Sequence, residues 1–216
     1  YKDNIKIFDL PKNMGIGYGR NLAIKESKNN LVATVDSDVV PDKSWLLNIY
    51  NSMINNKSHL CGGLLLEKYL KSNRYNYWRA IHLMHSFKEK KVSDVRSFIT
   101  GSNMLLNKSA WIKVGGYDEQ FRSNGEDVHF CIKLRNEGFK ISYDSDAYCH
   151  HLQNDNLQSL LNRCWRYYIS GTGLKKPTFK RMILRSIKHS KYCLINFSKD
   201  LINLRFSILD IHFRVL

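Results

Sequence analysis

Two acidic pairs carry most of the chemical potential of this sequence. Asp36-Ser37-Asp38 follows the apolar run Leu31–Val35, and Glu126-Asp127 follows Gly125 at the head of an amphipathic stretch. Carboxylate oxygens are the ligands that hard divalent cations prefer, and such ions are commonly shared with substrate phosphates. Asp36 and Asp38 are two residues apart, so an extended chain puts both on one side. They also follow a strand, at the carboxyl edge where open α/β sheets bind ligands. An Asx turn leading into the next helix is the alternative for this pair. Glu126 or Asp127 could take a proton from an attacking hydroxyl as a general base. Acids at a helix N-terminus are equally accounted for by the helix dipole.

Two further groups could join them. His150 and His151 end a strand-like stretch, and a neutral imidazole can complete a metal shell. Neighbours on a strand point opposite ways, so at most one faces a common site. Asn13 to Asn21 is glycine-rich, with Gly15, Gly17 and Gly19. Its glycines allow close backbone approach, and Arg20 begins a helix whose N-terminus suits phosphate. It lacks the third glycine of a dinucleotide loop and the Gly-Lys-Ser/Thr of a Walker loop.

The elements that must position these residues follow from periodicity. Ile5–Phe8 alternates as a short strand, and Pro11 with the glycines ends it. Arg20 to Ser27 reads as a helix, and Leu31–Val35 as a buried parallel strand. Pro41 opens a helix with Trp45, Leu46, Ile49, Tyr50 and Met53 at helical spacing. Strands are expected at Leu60–Leu66, Met104–Leu106 and Phe139–Tyr143. Helices are expected within Tyr69–Lys91, at Lys108–Val114, at Asp127–Asn136 and at Leu157–Ser170. Strands alternating with helices predict an α/β fold with a mostly parallel sheet.

Composition narrows the partners. The chain has 216 residues and a net charge of +15, which calls for an anionic partner. From Leu174 onward there are ten lysines and arginines against two acids, so this segment carries +8 of the total. It reads as a basic amphipathic helical tail, either a solvated face or a surface for an anionic membrane. The five cysteines are odd in number and form no CxxC pair, which argues against a zinc site or a disulfide framework. Reduced thiols and the lack of a signal-peptide pattern lead to the expectation of a cytoplasmic protein, peripheral at the inner membrane face. The run Arg74-Tyr75-Asn76-Tyr77-Trp78-Arg79 offers a competing reading, a nucleic-acid-binding module that stacks bases on aromatics. No RNA-binding signature accompanies it, and the acidic pairs would repel phosphate without a metal.

Each motif is common alone, but their order is not. Asn13-x-Gly15 with Arg20-Asn21, Asp36-x-Asp38, Gly115-Gly116-Tyr117-Asp118, Glu126-Asp127 and a strand closing on Ala147 to His151 closely resemble family 2 glycosyltransferases of the GT-A fold. The resemblance runs from about Ile5 to Gly171. It implies a glycosyltransferase domain over 1–173 and a tail over 174–216. It implies that Asp38 binds Mg²⁺ or Mn²⁺ with help from Asp36, which lies near the ribose, and from His151 rather than His150. It makes Asp127 the base of an inverting transfer, with Glu126 positioning the acceptor or the base. Asn13, Gly15, Arg20 and Asn21 become nucleotide contacts, and Gly101, Ser102 and Asn103 acceptor-side residues. Arg163 and Arg166 fall where related enzymes hold phosphate. The implied partners are a nucleotide-sugar donor and a glycan or lipid-linked acceptor. The family also opens with a strand and helix that hold the base. This sequence starts beside its second strand, so the expectation is an N-terminally incomplete domain, or an inactive fragment.

Overall fold

A computed structural model of the protein describes residues 5–70, 73–83, 98–169 and 178–216. Helix α1 (Ile16–Glu26) leads to β1 (Leu31–Val35), β2 (Val39–Pro41) and α2 (Trp45–Asn55). Then come β3 (Leu60–Glu67), α3 (Arg74–His82), β4 (Asn103–Asn107) and α4 (Lys108–Lys113). After α5 (Glu126–Asn136) and β5 (Ile141–His151), helix α6 (Leu157–Cys164) runs into a π-helical turn (Trp165–Ile169). Helix α7 (Phe179–Ile202) and α8 (Leu209–Arg214) follow, joined by a 3-10 turn at Phe206–Ile208. The helical part of Leu157–Ser170 is thus described as far as Ile169, and Ser170 lies outside the described residues, as do positions 71, 72 and 84 onward of Tyr69–Lys91.

The five strands form one sheet in the order β1-β4-β3-β5-β2. It is α/β as expected, but mixed rather than mostly parallel. Among neighbouring strands only the β3–β5 pair is parallel; β1–β4, β3–β4 and β2–β5 are antiparallel. Alternation of strands with helices shows that helices separate the strands. It does not say which way each strand returns, and β4 slots between β1 and β3 against both. β1 lies at one edge of this sheet, and Ala33 and Val35 are exposed, so it is not the buried parallel strand expected. Ile5–Phe8 forms no strand, and Ile5 and Ile7 face solvent.

The apolar runs of β3 and β4 make sense once both faces of the sheet are covered. Met104 and Leu106 point into a cluster with Leu60, Ile24, Phe130 and Leu134, beneath α1 and α5. Leu105, between them, points to the other face with Cys61, Leu65, Trp45, Ile49 and Met53 of α2. Period-two alternation thus feeds two cores from one strand. A third cluster joins Trp78 of α3, Leu160 and Cys164 of α6, Cys193 of α7, and Ile208, Ile211 and Val215. The basic tail therefore helps to build a core. Trp78 and Arg79 are fully buried there and beside the sheet, so these two residues of the aromatic-basic run offer no surface for stacking bases.

Candidate active site

Sheet register brings the first group together. Val39 of β2 pairs with His151 of β5, and His151 pairs on its other side with Glu67 of β3. Asp38 precedes Val39, and its carbonyl accepts from the Leu152 N–H at 2.7 Å. The result is a row: Asp38 Oδ2 lies 3.3 Å from His151 Nε2, and His151 Nδ1 lies 2.9 Å from Glu67 Oε1. His151 is buried and His150 exposed, as strand alternation requires. A carboxylate that accepts a hydrogen bond from Nδ1–H leaves the Nε2 lone pair facing Asp38.

The second group is drawn in by loop contacts and an arginine. β1 and β4 are antiparallel, so the end of β1 meets the start of β4, and the Asp36 N–H reaches the Ser102 carbonyl at 3.4 Å. Arg20 of α1 then bridges three elements. Its Nη2 lies 3.1 Å from Asp36 Oδ1, and its Nη1 pairs with Glu126 Oε1 at the head of α5. Gly125 takes φ 88° to turn the chain into α5, a left-handed conformation that favours glycine. Asp127 beside it accepts from the Val128 N–H at 2.8 Å through Oδ1, while Oδ2 faces the Gly101 N–H at 3.4 Å.

Asp36, Asp38, His151, Arg20, Glu126 and Asp127 all line one cleft of about 300 Å³. Gly101, Ser102 and Arg163 line it too, with Thr100 and Tyr167. Burial pushes the Asp127 carboxyl above the usual 3.8, with the Arg20 charge pulling the other way. Burial and then the neighbouring Asp127 charge raise Glu126 as well. The two acids differ in access. Glu126 is 3% exposed and paired with Arg20, although its Oε2 has no hydrogen-bond partner; Asp127 is the more open.

Other expected site residues sit elsewhere. Asn13 Oδ1 accepts from the Gly15 N–H at 2.8 Å, a local turn outside the cleft lining. Asn21 holds the Gly116–Tyr117 turn: its Oδ1 accepts from the Tyr117 N–H at 2.8 Å, and its Nδ2 donates to the Tyr117 carbonyl at 2.8 Å. Asn103 is fully buried, accepting from Trp45 Nε1 at 2.6 Å and donating to the carbonyls of Leu64 and Ala147. Arg166 lies in the π-helical turn and does not line the cleft. Arg20, expected as a nucleotide contact, lines the cleft and is engaged by two carboxylates.

Sequence reasoning missed the support beneath His151. Arg79 of α3 is fully buried and forks onto Glu67, with Nη1–Oε1 at 2.8 Å and Nη2–Oε2 at 2.7 Å. Its Nε lies 2.5 Å from Asp155 Oδ2, and Arg163 approaches Asp155 Oδ1 at 4.0 Å. Two arginines thus balance two buried acids behind the cleft. Only the position of Glu67 at the end of an apolar strand could have signalled it.

Two features test whether a divalent cation fits. Two donors on one ion, each at the ~2.1 Å typical of Mg²⁺, stand roughly 3 Å apart. The 3.3 Å between Asp38 and His151 agrees, and the Asp38 side chain is 44% exposed toward the cleft. Among the described residues, the only three such side chains close enough to share an ion are elsewhere, at His82, Asp200 and His212. There Asp200 Oδ2 contacts both imidazoles at 2.7 and 2.8 Å, and Arg205 meets Oδ1 at 2.9 Å. That cluster clasps α7 and α8 to α3.

Gly101 gives a direct test of the Arg20 bridge. A Cβ there would fall 2.2 Å from the Arg20 guanidinium. Gly101→Ala is expected to dislodge Arg20 and cost about 1–3 kcal/mol in urea unfolding. In an Arg20→Met background the same change should cost far less, a coupling that a double-mutant cycle reads directly.

Comparison with known proteins bears on this geometry. The chain is 24% identical over 164 residues to the pre-mycofactocin glycosyltransferase of Mycobacterium tuberculosis, covering 74% of this chain and 35% of that protein. It is 22% identical over 162 residues to the glucosyl-dolichyl phosphate glucuronosyltransferase of Haloferax volcanii, covering 69% and 51%. The chain therefore spans about a third and about half the length of these relatives. A solved structure of GalNAc-T7 with UDP, GalNAc and Mn²⁺ superposes with a TM-score of 0.54 over 70% of this chain and 32% of that one, at 10% identity. That likeness shows the GT-A fold. The model of the family described as glycosyl transferase family 2 matches residues 1–115, more than half the chain, and the protein belongs to that family.

Proposed function

We propose that the cleft transfers a sugar from a nucleoside-diphosphate-sugar to a hydroxyl of a glycan or lipid-linked acceptor, with inversion at the anomeric carbon. Asp127 is the general base, and Asp38 with His151 holds Mg²⁺ or Mn²⁺. The observation that carries this reading is the convergence of Asp38, His151 and Asp127, from three separate elements, on one cleft.

The acceptor oxygen attacks the anomeric carbon as the bond to the diphosphate oxygen breaks, and the hydroxyl proton passes to Asp127. When bound, the cation supplies positive charge against the departing diphosphate. Glu126, buried at the cleft wall and paired with Arg20, positions the adjoining base Asp127. Asp36 lies beside the donor and anchors Arg20, which sets the spacing between donor and base sides. Arg163 meets phosphate charge from α6. In this reading Asn13, Gly15 and Asn21 act by fixing α1, so that Arg20 reaches the cleft. Asn103 shapes the acceptor side from beneath, and Arg166 supports the α6 wall. The whole protein's donor and acceptor are part of this proposal.

The test is turnover of UDP- and GDP-sugars with Mn²⁺ and with EDTA. Asp38→Ala is expected to lower turnover on the order of 100-fold or more and to weaken Mn²⁺ binding read by electron paramagnetic resonance. Full turnover by Asp38→Ala in EDTA would overturn the metal assignment.

A further inference from the structure

Helix α7 has two sides rich in contacts or in apolar surface, and among the described residues only one of them is covered. Its inner side carries His189, Cys193, Asn196 and Asp200, all buried. Away from these lie Ile183, Ile187, Leu194 and Leu201, each between 44% and 62% exposed. With 3.6 residues per turn, the four fall within about 40° of one another around the helix axis. They form a stripe along most of a 24-residue helix. Such a contiguous apolar strip on a surface marks an interaction site.

The charges beside it say what kind. Lys180, Arg181, Lys188, Lys191 and Lys199 are exposed on the same helix, and its single acid, Asp200, is buried. A second copy of this chain would bring two cationic flanks together, which opposes self-pairing. Nucleic acid would match the charge and leave the aliphatic stripe without a partner. An anionic bilayer meets both, with acyl chains for the isoleucines and leucines and headgroups for the lysines.

We infer that the outer face of α7 is a docking surface for an anionic lipid bilayer. No described helix is long and apolar enough to cross a membrane, so the contact is one of lying along the surface. The helix packs against the π-helical turn that carries Tyr167, and Tyr167 lines the cleft. The docked face is therefore one layer behind the cleft wall. Combined with the proposed transfer reaction, and resting on it in this one respect, the surface favours a lipid-linked acceptor over a soluble glycan.

Removing the tail would remove Cys193, Ile208 and Ile211 from a buried cluster, so the test uses exposed positions. The full chain is sedimented with vesicles of phosphatidylcholine alone and with vesicles of phosphatidylcholine and phosphatidylglycerol, whose negative surface potential attracts basic segments. Binding is expected to the anionic vesicles only. Joint replacement of Ile183, Ile187, Leu194 and Leu201 by serine is expected to abolish it. Lys188→Glu, Lys191→Glu and Lys199→Glu together should lower the partition coefficient on the order of 100-fold. Thermal melting of each variant checks the fold. Equal binding to neutral vesicles, or anionic binding untouched by both variants, would overturn the inference. A wild-type dimer in sedimentation velocity that the serine variant dissolves would reassign the face to self-association. Vesicle binding is read without any sugar turnover, so failure here and failure of the transfer reaction are separate results.

Discussion

Asp127→Asn is expected to lower kcat by about 10²–10⁴-fold, the usual contribution of a positioned general base. The change is isosteric. The asparagine Oδ1 still accepts from the Val128 N–H, and α5 keeps its first turn. What is lost is the ability to take a proton from the acceptor. Glu126 cannot substitute, because it is buried and Arg20 holds one of its oxygens. Initial rates on a nucleotide-sugar, alongside a melting curve that shows intact fold, check this. Unchanged turnover would remove Asp127 from the mechanism.

The same residue sets a pH dependence with a definite sign. A base works only when deprotonated. Burial raises the Asp127 pKa, so kcat/KM should fall with decreasing pH through a value above the 3.8 of a free aspartate. Arg20 pulls that pKa down. Arg20→Met removes the pull, and the acidic limb should then move to higher pH. A limb that stays where it was would mean another group titrates.

Arg79→Met is the change expected to hurt stability most, by about 3–5 kcal/mol in urea unfolding. The lost guanidinium is fully buried, and so are its partners Glu67 and Asp155. Methionine roughly fills the volume but leaves two buried acids undercompensated, Glu67 with His151 and Asp155 with the more distant Arg163, which costs far more than the pair itself contributes. Arg74→Met is the control. Arg74 pairs with Asp210, but both side chains are more than 40% exposed, so the expected cost is only about 0–1 kcal/mol. Arg79 also bears on chemistry. Without it, Glu67 has no fixed position against His151 Nδ1, and the imidazole loses the contact that orients Nε2 toward Asp38. Mn²⁺ affinity should fall about 10–100-fold in any Arg79→Met protein that still folds.

Several features of the fold were legible because they depend on local pattern. The apolar runs at Leu31–Val35 and Leu60–Leu66 are strands, and the 3.6-residue spacing of Trp45, Ile49 and Met53 is a helix buried on that face. Gly125 followed by two acids does begin a helix. Strand alternation correctly allowed only one of His150 and His151 to point inward. Sheet direction was not legible. Pairing is decided by which apolar faces meet after collapse, and the same Met104–Leu106 run would suit a parallel or an antiparallel neighbour.

The sequence by itself determined which residues were chemically able to form a site, the order in which they occur, and the family they resemble, to which a match over residues 1–115 assigns the chain. Only the tertiary structure decided how they are used. Arg20, expected to contact the nucleotide, also bridges Asp36 and Glu126, and Asn21 and Asn103 brace a turn and the sheet. The basic helix, a surface by composition, became half core and half exposed stripe. The physical reason is the same each time. A side chain's type is local, but its partners are set by contacts across many tens of residues, and the cost of burying an unpaired polar group selects among them.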